Sequence, residues 1–217
     1  MGKFIVIEGG DGAGKATQAQ RLQIRLIEDG RYPSEVCTPM GLSFPRYATP
    51  IGRVIARHLR GEIMVSGTSL HIRAIEDALV FQCLMLADKI EAGHLILQHL
   101  ASGCDVVADR WWPSAYAYGG SDGLSDEWLI AVHQLLPVPD RYVLLDLNPE
   151  LAIERVVKRA AATGRQVDRY ETVERQTRVR ARYLDLVLAD REQRWRVVDA
   201  SRTEDEVAAA VLASVND

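Results

Sequence analysis

The chain has 217 residues, a formal net charge of −4, and 47% hydrophobic against 26% charged residues. That length and balance fit one soluble globular domain over residues 1–217, with a substantial core, and exclude a low-complexity or collagen-like chain. The acidic balance argues against polymeric nucleic acid as a partner, while leaving room for local basic sites that hold small phosphates.

The first residues run straight into a strand, so no cleaved targeting segment is expected. Phe4-Ile5-Val6-Ile7 reads as a buried parallel strand, followed by a glycine-rich turn and a helix. Gly9, Gly14 and Lys15 have the spacing of the phosphate-binding pattern G-x-x-x-x-G-K-[ST] up to its last position. Glycines there let backbone N–H groups turn around a polyphosphate, the helix N-terminus adds partial positive charge, and Lys15 would reach the β- and γ-phosphates. The last position should carry a hydroxyl for a metal, yet it is Ala16, and a hydroxyl follows only at Thr17.

Helical spacing of Leu22, Leu26 and Ile27 carries the helix to Gly30, and residues 34–38 read as a short strand. Pro39 to Tyr47 reads as irregular loop, 50–60 as a helix opened by Pro50, and 61–67 as a connection. Residues 70–100 are helical, with Gly93 expected to divide them into two helices. Their most apolar part is interrupted by Asp88, Lys89, Glu91, His94 and His99, so it is core and not a membrane span. Residues 104–108 form a buried strand ending in Asp109-Arg110, 111–123 read as loop, 126–136 as helix, 142–147 as a third core strand and 149–161 as helix. A small, basic, glycine-containing segment, 160–171, suits a surface lid. A charged helix over 171–190, a last strand over 195–199 and a capped helix over 203–215 complete the chain. The alternation predicts an α/β fold, a parallel sheet of about five strands with helices on both faces. Ligands of such sheets sit beyond the carboxyl ends of the strands, which puts 9–17, 44–46, 109–110 and 148–149 on one rim. Cys37, Cys83 and Cys104 lack metal-type spacing and suggest free thiols in a reducing cytoplasm.

At this point the sequence resembles the thymidylate kinase family across essentially its whole length. The resemblance is carried by Glu8 to Lys15, Phe44-Pro45-Arg46, Asp109-Arg110, Ala117-Tyr118, Gly164 to Glu171 and Val198-Asp199-Ala200-Ser201. It implies a P-loop kinase fold and transfer of the ATP γ-phosphoryl, with Mg²⁺, to dTMP or a related pyrimidine deoxynucleoside monophosphate. On the donor side it implies ATP held by Gly10, Gly12, Ala13, Gly14, Lys15, Ala16 and Thr17. On the acceptor side it implies Phe44, Arg46 and Arg110 around the monophosphate, Asp11 facing the sugar 3′-hydroxyl, Tyr118 against C2′, and Ser114 nearby. Asp109 would orient Mg²⁺ or its water, and Glu8 could help. Gly12 stands where some members keep a transition-state arginine, while Arg159, Arg165 and Arg169 surround the lid, so the lid type is implied, with Arg165 the first choice. Lys15, Arg165, Arg110 and Asp11 would then carry the chemistry. The family tendency implies a homodimer through the helical segment 70–100, although that segment equally suits a monomer's core.

Two departures stand out. Aligning on Ala87-Asp88 puts Met85 and Lys89 where the family commonly has a base-stacking Phe and a base-reading Arg. Phe81, one helical turn earlier, could supply the ring, and Ala115 replaces a polar residue next to Ser114. The changes cluster on reading the base and suggest relaxed or altered acceptor choice, such as a 5-substituted dUMP. Ala16 opens the second alternative, a catalytically weakened or merely nucleotide-binding protein. A nucleoside kinase would need a general base near the acceptor, where arginines stand instead. A GTPase would need a guanine-reading Asn-Lys-x-Asp run, which the sequence lacks.

Overall fold

The computed structural model describes residues 1–29, 37–62, 70–164 and 172–216. Its elements in chain order are β1 (Phe4–Gly9), α1 (Lys15–Glu28), β2 (Met40–Ser43), α2 (Pro50–Leu59), α3 (Leu70–Ala101), β3 (Val106–Asp109), α4 (Trp112–Ser121), α5 (Asp126–His133), β4 (Arg141–Asp146), α6 (Pro149–Thr163), α7 (Val173–Leu188), β5 (Trp195–Asp199) and α8 (Glu204–Asn216). The strands form a five-stranded sheet in the order β2-β3-β1-β4-β5, and every pairing is parallel.

The central strand β1 explains the layering. Successive side chains of a strand point to opposite faces. Ile5 and Ile7 enter a core with Leu22 and Leu26 of α1 and Val207, Val211 and Val215 of α8. Phe4 and Val6 enter the other core, with Met85, Ala92 and Ile96 of α3 and with Trp111. A strand buried on both faces needs the continuous apolar run that this one has. A third cluster, Ala117, Leu144, Val179 and Tyr183, joins α4 and α7 to β4. Thr203 and Glu206 form a reciprocal cap before α8, with Thr203 N donating to Glu206 at 3.0 Å.

Several sequence expectations are corrected. The strand expected at 34–38 falls partly outside the described residues, and β2 lies at Met40–Ser43, within the expected loop. Its pairing with β3 overrides the local Pro and Gly signals. Residues 70–101 form one helix. Gly93 does not break it, because a β-carbon there would sit 3.2 Å from Pro137 Cδ, making Gly93 a close-packing position. The expected loop 111–123 is mostly α4. Its glycines also serve packing: a β-carbon on Gly119 would lie 3.0 Å from Leu129 Cδ2, and one on Gly120 would overlap the Arg182 guanidinium. Finally, Cys37 and Cys104 are joined as a disulfide with Cα atoms 5.6 Å apart, while Cys83 is free and exposed. The expectation of three free thiols is wrong for two of them.

Candidate active site

The phosphate loop joins β1 to α1 and emerges between β3 and β4, the strands flanking β1. Gly9, Gly12 and Gly14 all have positive φ, at 148°, 80° and 88°. A β-carbon on Gly12 would come 2.4 Å from the Ala152 carbonyl oxygen of α6, so a side chain at this position would force the loop or α6 to move. Lys15 is buried and its Nζ donates to the Gly10 carbonyl at 2.6 Å. Burial, reinforced by the nearby Arg110 charge, lowers Lys15 to about 8. Ala16 and Thr17 are exposed on the first turn of α1, and Ala13 is buried beneath it.

Arg110 is the hub of the rim. It follows β3 with a φ of 71°, and its backbone N–H donates to the Ile7 carbonyl at 3.0 Å. Its guanidinium donates to Asp11 Oδ1 at 2.6 Å and to Ser114 Oγ at 3.3 Å, and lies over the Tyr118 ring at 4.9 Å. Arg175 lies over the same ring at 5.2 Å and pairs with Asp122 at 2.9 Å. Asp11 is also held from α7, where Gln176 accepts from Asp11 N at 3.0 Å and donates to Oδ2 at 2.9 Å. Burial works to raise the Asp11 carboxyl, but Arg110 and Lys15 outweigh it and hold the group at about 2. Asp11 is therefore a fixed anion tying loop, β3 and α7 together.

Beneath this layer Glu8 is fully buried. It accepts from Trp111 N at 2.7 Å, Ser114 Oγ at 2.7 Å and Tyr183 OH at 2.8 Å. Burial raises the Glu8 carboxyl against those donors and the Arg110 charge. Both oxygens are engaged, so the expected part for Glu8 in organising Mg²⁺ does not suit this geometry. Glu8 instead fixes the start of α4.

Lys89 of α3 is also fully buried, and its Nζ has no hydrogen-bond partner among the described residues. Burial lowers it to about 8, although Glu8 and Asp88 favour its charge. His133 Nδ1 bonds the Leu129 carbonyl at 2.7 Å, and burial followed by the Lys89 charge lowers this imidazole to about 4. A lysine depressed in the fold binds fewer protons than in the unfolded chain, so its contribution to stability rises with pH from about 8 to its unfolded value. Urea unfolding of wild type and Lys89→Met at pH 7.5 and 10 should show wild type gaining on the order of 2 kcal/mol relative to the variant. Parallel pH curves would contradict a buried, depressed Lys89.

The remaining acceptor-side residues are placed as follows. Phe44 is buried against Trp111, with ring centroids 5.0 Å apart. Arg46 is bound by α3: its backbone N and Nε donate to the two Asp88 oxygens, each at 2.9 Å, and Nη2 to the Asp88 carbonyl at 2.9 Å. Phe81 stacks on His58, with centroids 5.6 Å apart. Met85 and Ala115 are buried, at 6% and 2% exposure. Asp109 is 7% exposed and accepts from Ser43 Oγ at 3.2 Å, and its other oxygen has no partner among the described residues. Arg165 and Arg169 lie outside the described residues, and Gly164, at the end of α6, has a φ of 67°.

A family model described as Thymidylate kinase matches residues 7–211. The chain belongs to the thymidylate kinase family. A "Thymidylate kinase" of Dictyostelium discoideum is 30% identical over 95% of this chain and 82% of its own length. A "Thymidylate kinase" of Danio rerio is 32% identical, covering 95% and 86%. A "Probable thymidylate kinase" of Pyrococcus horikoshii is 34% identical, covering 99% and 96%. The match takes in the phosphate loop, the Arg110 hub and α7, so the thymidylate kinase relationship covers the site as well as the sheet.

Sequence reasoning missed three members of this site. Gln176 carried a readable signal: it is a polar residue three and seven positions before Val179 and Tyr183, on the buried stripe of α7. Asp88 carries no motif of its own in the sequence, yet its full burial and the Arg46 pairing make it the support of the loop that follows β2. Tyr183 reads as core in sequence, and only the fold brings its hydroxyl to Glu8.

Proposed function

We propose that this protein transfers the γ-phosphoryl group of ATP to dTMP, giving ADP and dTDP. The observation that carries this reading is the pairing of Arg110 with Asp11 of the phosphate loop, in a chain of this family. An acceptor phosphate oxygen attacks the γ-phosphorus while the bond to the β–γ bridging oxygen breaks. The transition state is loose, so the protein's task is positioning and charge stabilisation. A phosphate monoester is already anionic at neutral pH, so no general base is needed on the acceptor side.

In this reading the loop N–H groups and Lys15 hold the ATP phosphates, exchanging the Gly10 carbonyl for phosphate oxygens. Arg110 and Arg46 flank the acceptor phosphate. A guanidinium fork matches phosphate oxygens, and the carboxylates of Asp11 and Asp88 already fix its plane. Asp11, Tyr118 and Ser114 lie on the sugar side, and Arg165 of the lid meets the transferring group. Mg²⁺ suits the residues present at one place. Buried Asp109, with one partnerless oxygen, lines a cleft with Ala16 and Ser43, and its carboxylate and the Ser43 hydroxyl are hard-oxygen groups suited to a hydrated cation. The ion, when bound with ATP, offsets charge on the β- and γ-phosphates.

The base side favours a broader acceptor range. Of the positions aligned with base contacts, Met85, Lys89 and Ala115 are all buried, and none offers an exposed donor. Initial rates of coupled ADP release with dTMP, dUMP, dCMP, dGMP and 5-hydroxymethyl-dUMP test this. Turnover on dTMP with at least one other pyrimidine within about tenfold is expected, because hydrophobic pockets discriminate small groups weakly. Strict dTMP preference would contradict the broader range, and no acceptor-dependent release would contradict the kinase.

We place the enzyme in the cytoplasm, where ATP and nucleoside monophosphates meet, although the Cys37–Cys104 disulfide withdraws the free-thiol argument for a reducing compartment. A homodimer is supported by one face of α3, where Leu79, Ile90 and Leu97 are exposed at 38%, 52% and 54% at helical spacing. Equilibrium sedimentation should give twice the chain mass, and a monomer at micromolar concentration would contradict it.

A further inference from the structure

We propose that Ser43, at the end of β2, supplies across the sheet the hydroxyl that the phosphate loop lacks at Ala16, and with Asp109 seats the nucleotide-bound divalent cation. The proposal rests on the ATP-dependent reading above and assigns its metal site to a residue the loop motif does not contain.

The register of the sheet is the first support. Ser43 is the parallel partner of Asp109. Residues paired this way point to the same face, here the face covered by α1. A cleft of about 190 Å³ opens there, and Ala16, Ser43, Asp109 and Gln20 are among its walls. Ala16 thus lines the same cleft as the two oxygen-bearing residues.

Hydrogen bonding is the second. Asp109 is 7% exposed, and its Oδ1 has no partner among the described residues. A buried carboxylate oxygen left without a donor is costly, and its presence calls for a partner that this strand end is shaped to receive. Ser43 Oγ donates to Asp109 Oδ2 at 3.2 Å. That bond uses the hydroxyl proton and leaves the Ser43 lone pairs as acceptors. Ser43, exposed at the strand end, offers those lone pairs to the cleft beside the buried Asp109 carboxylate, and acceptor oxygens suit the water shell that a small divalent cation keeps. Lys15 is bonded to the Gly10 carbonyl and not to Asp109.

A merely structural Ser43, holding Asp109 in place, predicts something different. If Ser43 replaces the missing hydroxyl, restoring that hydroxyl at residue 16 must make Ser43 dispensable. If Ser43 only props Asp109, its loss costs the same in either background.

The test is Mn²⁺ binding to the protein–ADP complex, read by electron paramagnetic resonance of free Mn²⁺, with ADP affinity measured separately in EDTA. Ser43→Ala should weaken Mn²⁺ about tenfold, the usual cost of removing an outer-shell partner, with EDTA affinity for ADP within about twofold. Ser43→Thr should retain wild-type Mn²⁺ affinity. In the Ala16→Ser background, Ser43→Ala should cost less than about a third of its original factor. Unchanged Mn²⁺ affinity in Ser43→Ala, or an equal loss in both backgrounds, would overturn the proposal. Absence of ADP binding in EDTA would overturn the ATP-dependent reading itself, and this proposal with it.

Discussion

Arg110→Lys should lower kcat/KM for the acceptor by about 10²–10³ while changing ADP affinity less than about threefold. Arg110 makes its contacts through a planar fork, with Asp11 on one side, Ser114 on another and the Tyr118 ring below. Lysine keeps the charge but offers a single ammonium, which cannot hold Asp11 and an acceptor phosphate in one plane. The loss should therefore fall on the acceptor. Steady-state kinetics with both substrates varied, alongside ADP titration, separates the two sides. A loss below fivefold would mean that Arg110 serves only as the ion-pair partner of Asp11.

Lys15→Met should lower kcat by about 10³ with every acceptor, because the change sits on the transferring phosphoryl group. Lys15 is buried beside Arg110, Asp11 and Asp109, and burial together with the Arg110 charge lowers it to about 8. Methionine fills similar space without charge, so the fold should persist and thermal unfolding should show no loss. The expected signature is a fallen kcat with an acceptor KM within about threefold. Equal losses in kcat and in acceptor affinity would instead place Lys15 on the acceptor phosphate.

The two substitutions probe halves of the site that were legible to different degrees. The phosphate loop could be read directly, since positive φ at Gly12 and Gly14 leaves a local trace as glycine. The parallel sheet was equally plain, because β1, β3 and β4 are buried runs that only a doubly covered sheet explains. What was not legible depended on long-range packing. Gly93, Gly119 and Gly120 look like breaks in sequence but lie where another element approaches too closely for a side chain. Met40–Ser43 has weak strand character, and becomes a strand through its parallel pairing with β3. In the site, Asp88 and Gln176 act through residues 42 and 165 positions away. Lys89 shows the opposite failure: its position matches a base-reading residue, but its ammonium is enclosed at 0% exposure.

This enclosure bears on the broader acceptor range proposed above. In the proposed reading, with Lys89 buried and Ala115 apolar, discrimination among bases would fall to shape and to backbone groups, whereas Arg46 and Arg110 keep their carboxylate supports.

The most direct measurement is transfer of label from γ-³²P-ATP to dTMP by the purified protein with Mg²⁺. Labelled dTDP should accumulate in step with ADP and be lost in Lys15→Met and Arg110→Lys. Label released as inorganic phosphate, or ATP left intact in the presence of dTMP and the other deoxynucleoside monophosphates, would contradict it.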